Sequence, residues 1–125
     1  MLGTTVTAGL LSGTGVMGSG AKKSEVLHQV YFWLRHPDSE ADRARLIAGL
    51  KALSDIKLVR KLHVGVPAQT EKRSAVDSSW DVSLLTVFSD VASEAAYIKH
   101  PVHQDFLKKH SDLWSRIQVY DTLEV

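Results

Sequence analysis

Nine consecutive residues, Val26 to Leu34, alternate in a way that leaves neither side polar. Side chains on an extended strand point to opposite faces in turn. Val26, Val30, Phe32 and Leu34 share one face with His28, while Leu27, Gln29, Tyr31 and Trp33 occupy the other. A strand of this kind must be covered on both sides, so it belongs inside a sheet with material above and below it.

The order of the remaining elements follows from local signals. His36-Pro37-Asp38-Ser39 ends the strand, and Ser39 with Asp42 reads as the cap of a helix that carries Leu46, Ile47, Leu50 and Leu53 on one stripe. Alternation from Lys57 to Val66 predicts a second strand that stops at Pro67, and Pro67 to Ser79 is a polar loop. A third strand is expected from Trp80 to Phe88, with Trp80 on the face of Val82 and Leu84. Ser89-Asp90 caps a short helix that runs through Lys99. Pro101 disfavours helical geometry at His100, so a bend is expected there, with a further helix from about Val102 carrying Phe106, Leu107, Leu113 and Trp114 on one side. The last strand, Ile117 to Glu124, places Ile117, Val119 and Leu123 on one face. Strand, helix, strand, strand, helix, strand is the order of an α+β ferredoxin-like split βαβ unit with an antiparallel four-stranded sheet. Its helices cover one sheet face, and a second copy of the chain is the simplest cover for the other.

A chain of 125 residues holds one domain. The formal charge of +1 is too small for an electrostatic footprint on nucleic acid or an anionic membrane, and neither is expected as a partner. The absence of cysteine removes disulfides, thiol nucleophiles and Cys-ligated metals. Six of the eight glycines fall in the first twenty residues, a stretch with no charged side chain. Residues 1–23 therefore read as a flexible tail or a truncated export signal of the twin-arginine type lacking its basic start, and residues 24–125 as the domain. An exported or periplasmic location follows from the second reading, a cytoplasmic one from the first.

Three segments carry a resemblance. Val26-Leu27-His28-Gln29-Val30, Tyr97-Ile98-Lys99-His100-Pro101-Val102-His103-Gln104-Asp105-Phe106 and Val119-Tyr120-Asp121 are similar to the stress-responsive A/B barrel (Dabb) family over residues 25–125. The Tyr-x-x-His-Pro-x-His segment after the third strand is the specific part. The resemblance implies a ferredoxin-like domain that pairs through its sheet into a dimeric α/β barrel. Most members have no assigned reaction, but one is a plant polyketide cyclase. In that type a tyrosine and a histidine of this segment do acid/base work between sheet and helices. By motif, Tyr97 and His103 are the equivalents, with His28 lining the same pocket and His100 beside it as a further ligand-binding candidate.

Each of these residues also has a plain structural reading. His28 is either a group that orients a substrate oxygen or a buried neutral imidazole bonded to the Pro101 turn. His103 lies in a first helical turn on the face of Phe106, Leu107 and His110. There the helix end keeps it neutral, as a base must be, unless it serves to cap that turn. Tyr97 is either an oxyanion donor or a core aromatic. No metal site is expected, because there is no HExxH motif, no carboxylate is placed with the histidines and Pro101 bends the backbone between His100 and His103. No glycine-rich phosphate loop follows a strand, so no nucleotide cofactor is expected. Three classes remain: a small-molecule binding domain, a cofactor-independent cyclase or isomerase, and a structural stress-related dimer. A pocket of roughly 300 Å³ or more would favour the enzyme. Mutual hydrogen bonds among Tyr97, His28 and His103 in a closed core would favour the structural dimer.

Overall fold

The computed structural model describes residues 24–125; the expectations for residues 1–23 lie outside it. The elements are β1 (Val26–Leu34), α1 (Glu40–Ala52), β2 (Lys61–Gly65), β3 (Val82–Phe88), α2 (Val91–Lys99), α3 (Pro101–His110) and β4 (Trp114–Leu123). They form one sheet in the order β2-β3-β1-β4, with every neighbouring pair antiparallel. This is the ferredoxin-like α+β arrangement that the element order predicts.

Caps set where the helices begin. The Ser39 hydroxyl accepts the Asp42 backbone N–H at 3.1 Å, and the Asp90 carboxylate accepts that of Ser93 at 2.8 Å. One face of β1 and β3, from Val26, Val30, Phe32, Leu34, Val82, Leu84 and Phe88, packs with Leu46, Leu50, Leu53, Tyr97 and Phe106 of the helical layer in a single core. The opposite face of β1 stays half-buried, as the two-sided alternation requires.

Three boundaries differ from the sequence expectation. The second strand begins at Lys61, because Leu53–Asp55 forms a 3₁₀ turn and Ile56 and Val59 then bond back to Leu53 and Ile56. Trp80 precedes β3 and does not share the core face. Its ring packs edge-on against Tyr31 at 5.1 Å on the opposite side of the sheet, and its indole N–H bonds the Asp77 carbonyl. Leu113 and Trp114 lie past the end of α3, where a second 3₁₀ turn leads directly into β4.

Helices α1 and α3 meet at Gly49. A Cβ there would stand 2.7 Å from the His110 ring, which is stacked on Phe106 and held by the Phe106 carbonyl at 3.1 Å. Alanine is favoured over glycine inside a helix by about 1 kcal/mol. Overpacking against a held ring costs about 1–3 kcal/mol and should win. Gly49→Ala is therefore expected to lower stability by up to about 2 kcal/mol in urea unfolding. The same change in a His110→Ala background should raise it.

Candidate functional site

Strand pairing supplies the floor of the site. On the helix-facing side of β1, His28 stands opposite Thr86 on β3 and opposite Asp121 on β4. Helix α2, begun by its Asp90 cap, presents Glu94 and Tyr97 one turn apart to the same region. Tyr97 is fully buried, its ring edge-on to His28 at 6.1 Å and tilted against Phe88 at 4.8 Å.

His103 reaches Tyr97 because the helix is broken. The two residues are six apart, which in one continuous helix would set them about 240° apart around the axis. His100 is instead extended, with φ −63° and ψ 139°, and α3 starts afresh at Pro101. The His103 ring then sits 4.7 Å from that of Tyr97. The capping role considered for His103 is taken by His100, whose Nδ1 accepts the Val102 N–H at 3.1 Å. His100 caps the helix and does not line the cavity described next.

Tyr97, His103 and His28 border one cavity of about 130 Å³, enclosed otherwise by apolar side chains such as Phe32, Leu50 and Phe106. On the β4 side its walls include Ile117 and Val119, 42% and 38% exposed, and there it approaches solvent. Two buried polar atoms of this group, the Tyr97 hydroxyl and His103 Nδ1, have no hydrogen-bond partner. The three side chains are thus not the mutually bonded cluster that a purely structural core would contain. A hollow of about 600 Å³ beside Arg43 and the loop before β3, and another of about 360 Å³ between Trp33 and Trp80, are larger. Neither includes these groups.

Electrostatics give the pair opposite characters. Burial, and secondarily the Glu94 carboxylate, hold the Tyr97 hydroxyl well above its ordinary pKa, so it stays protonated and can donate. Burial, then the nearby His28, push His103 below the usual histidine value, with the Ile98 backbone opposing them weakly. The direction is that of the neutral His103 expected from the sequence, and its largest cause is burial.

His28 does not bond the Pro101 turn. Its Nδ1 lies 2.5 Å from a carboxylate oxygen of Asp121 and 3.6 Å from one of Glu94. Donor atoms of these three residues fall within 4.8 Å of one another. The expectation of no metal site rested in part on the lack of a carboxylate beside the histidines, and that premise does not hold. Asp121 is remote from His28 in sequence and is delivered by the β1–β4 register. One signal did exist: Ile117, Val119, Asp121 and Leu123 fall on one face of the last strand, so an acid interrupts it as His28 interrupts the first.

The stress-responsive A/B barrel domain family model matches residues 26–123, and the chain belongs to that family. Among solved structures it is similar to a Dabb-family protein with a ferredoxin-like fold from Mesorhizobium loti, with 20% identity, 81% of this chain and 97% of that one covered, and a TM-score of 0.67. It is also similar to a dimeric protein of unknown function from Bacteroides fragilis, with 20% identity, 80% and 96% covered, and a TM-score of 0.62. A hydroxynitrile lyase from Passiflora edulis shares 18% identity over 82% of this chain and 95% of its own, with a TM-score of 0.69. No match was found among curated proteins. None of the helices among the described residues is long and apolar enough to cross a membrane.

The lowered His103 pKa makes a pH prediction. Between the folded value and about 6.5 the unfolded chain binds the proton that the folded chain refuses. The stability contributed by neutral His103 is complete above about pH 6.5 and is lost as pH falls through the folded value. Thermal melts from pH 7.5 to 5 should show a smaller decline for His103→Gln than for the native chain.

Proposed function

We propose that this Dabb domain is a homodimer that binds a small oxygen-bearing molecule between sheet and helices, with Tyr97 donating a hydrogen bond to it and His103 accepting one. The observation that carries this reading is the pair of buried, unpartnered polar atoms bordering one cavity. Leaving a buried donor or acceptor without a partner costs about 1–3 kcal/mol each, a cost that a ligand removes. At about 130 Å³ the cavity is smaller than the size that would favour an enzyme for drug-sized substrates. It is near the roughly 150 Å³ that accommodates benzene, so the ligand has one ring or a short chain.

A second reading has its own support. A protonated phenol and a neutral imidazole side by side form an acid/base pair able to move a proton at a hydroxyl or next to a carbonyl. Cyclisation or isomerisation without a cofactor needs only such transfers, as in the polyketide cyclase of this family. The hydroxynitrile lyase among the structural relatives is consistent with it. The purely structural stress-related dimer has less support, because it would pair Tyr97, His28 and His103 with one another.

The dimer rests on the uncovered sheet face. Leu27, Tyr31, Trp33 and Leu85 are half-buried there, Trp80 and Arg116 cover only Tyr31 and Trp33, and structural relatives are dimeric. Native mass spectrometry should find a dimer, and Leu85→Lys should shift it to monomer; a native monomer would overturn the assignment.

Phenol, which can accept from Tyr97 and donate to His103 through one oxygen, is a suitable probe. Tyr97→Phe is expected to leave ligand-free stability unchanged or raise it by up to about 1 kcal/mol, while weakening phenol binding about fivefold or more. Loss of ligand-free stability in Tyr97→Phe, with phenol uptake absent in the native chain, would return Tyr97 to the core.

A further inference from the structure

The cluster of His28, Glu94 and Asp121 lies apart from the Tyr97–His103 pair in chemistry, although its His28 lines the same cavity. Each donor comes from a different element, β1, α2 and β4 respectively, so the fold rather than a local loop assembles them. His28 is buried, Glu94 has a side chain 18% exposed and Asp121 one 51% exposed, giving a site closed below and open above.

The charges do not balance. Among the described residues the ion pairs of Glu94 and Asp121 are made with His28 alone. Even with His28 protonated, two carboxylates face one imidazolium and a negative charge is left over. A divalent cation cancels that charge and leaves His28 neutral. One imidazole with two carboxylates is a donor set suited to first-row divalent ions such as Zn²⁺ and Mn²⁺. Three protein ligands leave at least one coordination position open.

A second observation points the same way. The fully buried Tyr97 hydroxyl is unpartnered, and the Tyr97 ring, one helical turn from Glu94, lies edge-on to His28 at 6.1 Å. A water or substrate oxygen that filled the open position and reached this hydroxyl would give it the partner it lacks.

We infer that His28, Glu94 and Asp121 form a binding site for a divalent first-row metal ion at the edge of the cavity. Ligand bonds of about 2.0–2.2 Å require His28 Nδ1 and the Asp121 oxygen, now 2.5 Å apart, to separate by roughly an ångström. The exposed Asp121 side chain has the freedom to make that adjustment.

The test is calorimetric titration of Zn²⁺ into the full chain after removal of metals with EDTA. One ion per chain is expected, bound at least tenfold more weakly in Glu94→Gln and in Asp121→Asn. Affinity should be unchanged in His63→Ala, which alters an exposed histidine on β2. Mn²⁺ should bind the native chain more weakly than Zn²⁺. Circular dichroism melts of both carboxylate variants separate lost ligands from lost folding, and the buried His28 is left unaltered for that reason. Absence of binding up to millimolar Zn²⁺, or affinity indifferent to both variants while they remain folded, would overturn the inference.

Discussion

Strand β1 is hydrogen-bonded along both edges and apolar on both faces, and the other parts of the domain are arranged around it. Its pairing with β3 and β4 places residues remote in sequence directly across from one another. Its helix-facing side anchors the core, and the reverse side asks for a cover that the helices cannot give. The functional groups are a by-product of this geometry. His28 is a polar residue in the middle of the most constrained strand, and whatever pairs with it must come from a neighbouring strand or from the helix above.

The fold was readable because it depends on alternation and caps, which are local. Ser39 and Asp90 announce their helices, and Pro101 announces the break. What misled were residues whose surroundings are set at a distance. Trp80 follows the alternation of the third strand, yet it lies on the other side of the sheet, edge-on to Tyr31. Leu58 and Val59 look like strand, but the chain turns there after the 3₁₀ segment.

The site was legible in part for the same reason. Tyr97 and His103 share a motif with a helix break inside it, and they do meet. The partners of His28 were not legible, since Asp121 is joined to it by register and Glu94 by the packing of α2 on the sheet. His100 and His103, equivalent in a list of residue types, are separated by backbone geometry into a cap and a cavity group. The family assignment confirms the architecture without choosing among chemistries, because relatives under one fold include a lyase and proteins of unknown function.

The break at His100 also fixes how the segment can vary. Within α3 each residue advances the helix by about 1.5 Å and 100°. One residue added between Pro101 and His103 would leave Phe106 docked and the histidine three positions before it, but would carry the capping end about 100° out of place. Restoring the cap would turn the imidazole away from Tyr97. Chain length here is consequently held more tightly than side-chain identity. Relatives that keep a cavity of this kind should differ in this segment by substitution, with insertions and deletions displaced to the long loop before β3.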